Sequence, residues 1–444
     1  MNLINKKIGI WGLGIVGSSV LKYVQNLTPH IQILDQKPNE ALSVIVQTPH
    51  NIESFLDHND FIFPSPGIPL LNYQTYQHKF VHELDIFSSQ CTNKVIAITG
   101  TLGKTTITSF IEQCIASSIA AGNIGYAMLD VLSLQPQPST IVLELSSYQL
   151  QYTKTFAPSI AIWTNFYPNH LDHHATIDEY FAAKCNIFKY QNSTQKALIP
   201  ADLIDAIEAT IKIESQMYLF STSKPKITKY PTFYIDQNDM VLSTNNQTIK
   251  IFKRVDQLPD TTFLQNWIAI LAALYLNNIE TQTLSDKLYT LQPPQHRVEF
   301  VKKINGVSVY NDSKSTVWQA TQCAIQRFPY QRIALFLGGL SKGTDRTPLI
   351  EYISTQNITV FAFGAQAEIL STLCKNYNVP HLQAETLQQA LDLFLQQHQN
   401  FDILLFSPAG SSFDLFKNFE DRGTQFKKMI HDIKGSKLCS FNKN

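Results

Sequence analysis

The spacing of apolar and polar positions predicts short buried strands alternating with amphipathic helices. Val95-Ile96-Ala97-Ile98 is a β-branched apolar run and predicts a buried strand. It breaks at Gly100, turns through Gly103 and runs into a helix beginning near Ile107. Upstream, Lys7–Trp11, Ile31–Leu34 and Asp60–Phe63 read as strands, with a helix from Ser18 to Val24. Downstream, Thr140–Leu145 and Ile160–Asn165 read as strands, Ile177–Phe188 as a helix, and Leu264–Leu276 as a strongly apolar helix. Asp236-Gln237-Asn238-Asp239 and Asn305-Gly306 are hairpin signals. Val307–Tyr310, Ile333–Leu337, Ile358–Phe363 and Ile403–Phe406 complete the strands. This alternation predicts an α/β protein of mostly parallel, doubly wound sheets. Polar sequence between Phe87 and Asn93 and the break at Pro293-Pro294 divide it into three domains, 1–91, 92–293 and 294–444. The first and last are expected to be Rossmann-like and the central one a P-loop ATPase-type domain.

Composition narrows the function classes. A chain of 444 residues with 44% apolar and 16% charged residues has ample core. Its net charge of zero, without a basic block, argues against a nucleic-acid partner. No run of about 18 apolar residues predicts a membrane span. The start, Met1 to Lys7, leads into a strand without a signal-peptide core, and the six cysteines are scattered without C-x-x-C. Both features predict a cytoplasmic protein with reduced thiols.

The chemistry begins at Gly100-Thr101-Leu102-Gly103-Lys104-Thr105-Thr106. A strand, a glycine turn and a helix N-terminus aim backbone N–H groups at an anion, and the helix dipole favours negative charge. Lys104 adds a cation for phosphate oxygens, and the Thr105 hydroxyl suits Mg²⁺. Ile98 stands where the full phosphate-loop pattern wants glycine. Glu144 ends a strand and is well placed for Mg²⁺. Gly12-x-Gly14-x-x-Gly17, followed by Asp35, is a dinucleotide fingerprint. NAD satisfies it, and so does UDP, which also carries a pyrophosphate and a ribose. Ser65-Pro66-Gly67 is a polar turn at a strand end. Asn169-His170-Leu171-Asp172-His173-His174 invites a zinc reading, but no fourth ligand stands at zinc-like spacing. Solvated loop histidines or a role beside Mg²⁺-nucleotide remain.

Taken together, these motifs resemble the Mur ligase family. The resemblance is carried by the loop through Thr106, Glu144-Leu145-Ser146-Ser147-Tyr148-Gln149-Leu150, His296-Arg297, Asn311-Asp312-Ser313-Lys314-Ser315-Thr316, and Ser407-Pro408-Ala409 through Arg422-Gly423. The glycine fingerprint, Ser65-Pro66-Gly67 and the closing run resemble the D-glutamate-adding branch. The resemblance implies an ATP-dependent amide ligase of peptidoglycan synthesis. A carboxylate of a UDP-muramoyl substrate becomes an acyl phosphate, which an amine then attacks. It also implies small-molecule substrates only, a monomer, and Mg²⁺. Catalysis would fall to Lys104, Glu144, His170 and Lys184, the last matching a lysine that the family carries as a carbamate. The metal would lie by Thr105, Glu144, His170 and Lys184. ATP would be bound by Gly100, Thr101, Gly103, Lys104, Thr105, Thr106, Asn266, Arg297, Asp312 and Lys314. The uridine substrate would be bound by Gly14, Asp35, Ser65, Pro66, Gly67, Asn123 and Ser146, and D-glutamate by Thr316, Lys342, Ser412 and Phe419.

The chain departs from the family at five places. Leu102 replaces a residue that is usually polar, Asn169 an Asp, and Gln36-Lys37 the commoner Thr-Arg. Gln265 stands for a His, and Ala269 for an Asn that contacts adenine. Another ligase of the superfamily, such as a folylpolyglutamate synthase, is the alternative. A nicotinamide oxidoreductase and a non-catalytic binding protein are the other classes in play.

Overall fold

Apolar side chains on the central strands point to both faces of their sheet. Ile96, Ile98, Val142, Ile160 and Ile162 pack on one face with Ile107, Phe110, Trp267 and Ala269. Ala97, Ile141, Leu143, Ala161 and Trp163 pack on the other with Cys185, Ile187 and Phe188. A sheet buried on both faces has no solvated side to alternate toward, so its strands read as continuous apolar runs.

This computed structural model describes residues 2–169, 173–225, 229–245, 247–259, 262–341 and 343–433. It is mixed α/β with three sheets. The first has four parallel strands in the order Ile45–Val46, Ile31–Asp35, Ile8–Trp11, Phe61–Pro64. The helix after the first strand begins at Ile15, three residues before the expected Ser18, because Gly14 takes the N-cap position.

The second sheet has nine strands, with Lys94–Thr99 between Thr140–Glu144 and Ile160–Trp163. Only its far edge, through Asp239–Ser243 and Thr248–Phe252, is antiparallel. Edge strand Ser118–Gly122 sets Gly122 opposite Glu144. That strand, Lys196–Pro200 and Gln216–Phe220 were not expected from sequence.

The third sheet has six strands: Glu299–Ile304, Val307–Asn311, Ile403–Phe406, Ile333–Gly338, Ile358–Phe363 and His381–Ala384. The first pair is a hairpin turning at Asn305 and Gly306, both at positive φ, and the rest are parallel.

The described residues form two compact units, those within 2–168 and 173–292, and 169 with those within 293–433. The first unit holds the first two sheets, joined where helix Glu83–Gln90 and helix Ile15–Val24 pack on helix Met128–Val131. Among the described residues, no helix is long and apolar enough to cross a membrane.

Candidate active site

The phosphate loop is held through its own backbone by Thr164 and Asn165, which follow the strand Ile160–Trp163. Gly100 lies at φ +138°, and a Cβ there would fall 2.0 Å from Thr164 Oγ1. Gly103 lies at φ +83°, and its Cβ would fall 2.7 Å from Asn266 Oδ1. Only glycine fits both positions. Leu102 N donates to Asn165 Oδ1 at 2.8 Å. Leu102 O accepts from Asn165 Nδ2 at 3.0 Å and Thr164 Oγ1 at 2.6 Å. These bonds use the backbone of residue 102, so the family departure there leaves them intact.

Thr101 Oγ1 donates to Tyr167 O at 3.1 Å and accepts from Tyr167 N at 3.0 Å. Its one proton is thereby committed, so the Tyr180 phenol, 3.2 Å away, donates to it. Burial pushes that phenol up to about 12, so the proton stays on it.

Two lysines meet behind this loop. Lys104, first residue of helix Lys104–Cys114, donates to Gly100 O at 3.0 Å and Thr101 O at 2.9 Å. Lys184 donates to the same Gly100 O at 2.9 Å. It projects from helix Ile177–Lys189, is 2% exposed, and lies 4.6 Å above the Tyr180 ring. Burial pulls its ammonium well below the usual lysine range, and nearby Lys104 pulls the same way.

Glu144 is opposite Ile98 in the register and buried. Its Oε1 accepts from Asn123 Nδ2 at 2.9 Å, while Asn123 N donates to Glu144 O at 2.9 Å. The turn Gly122–Gly125 is thus fastened to the Glu144 strand end. The first unit therefore brings together Gly100 to Thr106, Glu144, Asn123, Lys184 and Asn266 along one sheet edge. Strand C-terminal ends are where open α/β sheets bind ligands. His170 lies outside the described residues. Among those described, no group of three His, Cys, Asp or Glu side chains could hold a metal. His173 and His174 turn inward instead: His174 Nε2 lies 2.9 Å from Ser147 Oγ, and both rings pack on Tyr148.

In the glycine-fingerprint region Asp35 is already engaged. Its Oδ2 accepts from Leu13 N at 2.6 Å and its Oδ1 from Lys37 N at 2.9 Å. Gly17 is forced by packing, since a Cβ there would lie 1.9 Å from Gly12 O. Gly14 faces open space, as does Gly67. Ser65 Oγ donates to Gly12 O at 3.0 Å. Ser65 and Pro66 line a cleft with His82, Glu83, Tyr148 and Tyr152. Ser146 caps helix Ser147–Leu150, accepting from Gln149 N at 3.3 Å.

The second unit gathers Asp312, Lys314 and Phe419 by its own contacts. Asp312 accepts from Ser407 Oγ at 2.6 Å and Val298 N at 3.2 Å. Burial pushes its carboxyl up to about 7, against the pull of Ser407 and Arg297. Lys314 Nζ lies 3.9 Å over the Phe419 ring. Ser313 Oγ donates to Phe419 O at 2.8 Å. Thr316 lies just before the helix that begins at Trp318 with Val317 as its cap. Ser412 is buried, and Lys342 lies outside the described residues. Sequence reading did not single out Thr164, Tyr180 or Arg346, and it named His174 only within the histidine hexad and Arg422 only within the closing run. The polar ones are common residue types without distinctive spacing, and the arginines gave no sign of burial.

Three parallel-dominated sheets and a glycine loop running into a helix with a lysine at its start define a phosphate-loop α/β enzyme. The Mur ligase middle domain matches residues 98–274. A UDP-N-acetylmuramoylalanine--D-glutamate ligase of Thermoanaerobacter is 30% identical, over 98% of this chain and all of the relative. One from Acidobacterium capsulatum is also 30% identical, over 98% of both chains. The solved structure of MurF from Acinetobacter baumannii aligns with a TM-score of 0.58 at 16% identity, covering 96% of this chain and 92% of that one. The chain belongs to the Mur ligases, and within them to the UDP-N-acetylmuramoylalanine--D-glutamate ligase family. It is an ATP-dependent ligase of peptidoglycan precursor synthesis.

Proposed function

We propose that this ligase joins D-glutamate to UDP-N-acetylmuramoyl-L-alanine in the cytoplasm, as a monomer of three functional regions, 1–91, 92–293 and 294–444. One observation carries the reading: Lys104 and Lys184 converge on Gly100 O behind a phosphate loop, on the sheet edge that bears Glu144.

A carboxylate is a poor electrophile until a good leaving group is attached. ATP supplies that group by giving its γ-phosphoryl to the substrate carboxylate, with ADP leaving. The D-glutamate amine then attacks the acyl carbon, and inorganic phosphate leaves as the amide forms. Phosphoryl transfer needs mainly positioning and charge neutralisation. The donors fit a polyphosphate, because glycines at 100 and 103 allow close backbone approach and Lys104 opens the helix. Lys104 swings from the Gly100 and Thr101 carbonyls to the phosphate oxygens. Thr101 and Thr106 complete the cradle.

Mg²⁺ is the expected partner charge. Thr105 and Glu144 would hold it, with His170 and Lys184 completing the set. A buried amine kept neutral is the form that takes up CO₂, and the resulting carbamate would turn Lys184 into an anionic ligand. Asn266 backs the loop, while Arg297, Asp312 and Lys314 are proposed ATP groups of the second unit. Gly14, Asp35, Ser65, Pro66, Gly67, Asn123 and Ser146 are proposed for the uridine substrate. Asp35 and Ser146 would act there by shaping the backbone, given their present bonds. Thr316, Lys342, Ser412 and Phe419 are proposed for D-glutamate.

The test is ADP release by the purified full chain. It should require both D-glutamate and the UDP-muramoyl substrate. Release driven by L-alanine with the UDP-muramic acid lacking alanine would move the chain to another branch of the family.

A further inference from the structure

Two guanidinium groups are buried beneath the loops that follow strands Ile333–Gly338 and Ile403–Phe406. Arg422 is 0% exposed and engaged on all sides. Its Nε donates to Ser313 Oγ at 3.0 Å, its Nη1 to Gly410 O at 2.9 Å and its Nη2 to Ser313 O at 2.7 Å. Arg346 is 4% exposed and engaged on one side only. Its Nη2 donates to Gly339 O at 2.9 Å and reaches Gly338 O at 3.4 Å. Its Nε and Nη1 are buried and meet no acceptor among the described residues.

A buried charge whose donors lack partners is costly, and such a cost persists where the charge has a use. The packing around it is tight. A Cβ on Gly410 would fall 2.3 Å from Arg346 Nη2, and one on Gly339 would fall 3.0 Å from Arg422 Nη1. The two arginines feel each other's charge, and Asp414 is the acid that acts on both. Asp312 acts on Arg422 as well, but burial favours its uncharged form. The region under Gly338, Gly339 and Gly410 is therefore net positive. In a dry, low-dielectric interior such a field is weakly screened and reaches the loop surface.

We propose that Arg346 is a specificity-determining residue that makes the loops at Gly339 and Gly410–Ser412 select an acceptor carrying a second carboxylate over a neutral one of the same size. It acts through the field it maintains and through the loop carbonyls it holds, without touching the acceptor. This rests on the reading that the second unit binds the amino-acid acceptor.

The test compares the parent with Arg346→Gln, Arg346→Lys and Asp414→Asn as full chains, using D-glutamate and D-glutamine as acceptors. Arg346→Gln should raise the D-glutamate KM at least tenfold, lower the D-glutamate preference by a similar factor and leave the ATP KM within twofold. Arg346→Lys, which keeps the charge, should restore much of the preference. Asp414→Asn removes the opposing acid and should increase the preference. It supplies the answer if Arg346→Gln does not fold. An active parent whose preference is unmoved by the Arg346 variants, or by Asp414→Asn where those do not fold, overturns this proposal alone. A parent without D-glutamate-dependent turnover overturns the functional reading and this proposal with it.

Discussion

Lys104 and Lys184 donate to one oxygen, the carbonyl of Gly100, at 3.0 and 2.9 Å. Two ammonium ions on one carbonyl repel each other. The more buried of them, Lys184, is the one driven toward the neutral amine.

Lys184→Met separates chemistry from folding. The folded pKa of Lys184 lies below its unfolded value, so the native state binds fewer protons across that window. The lysine therefore costs stability at neutral pH, and the cost fades as pH rises toward the unfolded pKa. Replacing it with an apolar side chain of similar length removes a desolvation penalty of about 1–3 kcal/mol, set against one lost hydrogen bond. We expect Tm to be unchanged or a few degrees higher, with ligation reduced at least a hundredfold. An inactive variant that also unfolds would mark Lys184 as structural. For the parent, CO₂ depletion should lower activity and bicarbonate should restore it.

Glu83 gives the first unit a stability that depends on pH. It is buried on helix Glu83–Gln90, its Oε1 accepts from Leu129 N at 3.4 Å, and its Oε2 meets no partner among the described residues. Burial pushes its carboxyl up to about 7 from 4.5. The native state thus holds the proton longer than the unfolded state, and stability falls as pH rises from about 4.5 to 7. A shift of that size corresponds to roughly 3 kcal/mol. Glu83→Gln should be more stable than the parent at pH 8 and similar to it at pH 4.5, as read by denaturant midpoints. Parallel pH curves for the two proteins would refute the assignment.

Much of this was legible in the sequence. The β-branched run before Gly100 read as a strand and the glycines as a turn into a helix, and the structure has both. Glu144 was legible because a lone acid closes an apolar strand. Within the histidine hexad the solvated reading fails for His174, which is folded inward on Ser147 and Tyr148. Lys184 could not be told from a solvated helical lysine, because burial comes from tertiary packing that periodicity does not encode. Thr164 and Tyr180 act on the loop from other elements, 63 and 79 positions away from Thr101. The edge strand Ser118–Gly122 is short and alanine-rich, so its pattern carried no strand signal.

Gly103→Ala should weaken ATP binding at least tenfold. Its φ of +83° costs an L-residue about 1–2 kcal/mol, and the new methyl meets Asn266 Oδ1 at 2.7 Å. Adding Asn266→Ala should recover part of the stability lost, since it removes the clash but not the strain. Strictly additive losses in thermal unfolding would show that the two side chains do not meet.

Ala269 is fully buried on helix Leu264–Leu276 and offers only a methyl where the family resemblance implies an amide. ATP should be preferred over GTP by about one hydrogen bond less than in relatives bearing that amide, roughly 1 kcal/mol. Competition kinetics with both nucleotides measure it. A preference as strong as theirs would mean that another residue reads the base.

In the proposed mechanism the loop at Gly100 drives acyl-phosphate formation for D-glutamate ligation. Its most direct test is ADP release with the UDP-muramoyl-L-alanine substrate, with and without D-glutamate, in the parent and in Lys104→Ala. The parent should release ADP and inorganic phosphate in step with amide formation when D-glutamate is present. Lys104→Ala should remain folded and lose several kcal/mol of transition-state stabilisation, about a hundredfold or more in rate. Near-parental turnover in the folded variant, or a parent indifferent to D-glutamate, would contradict the account.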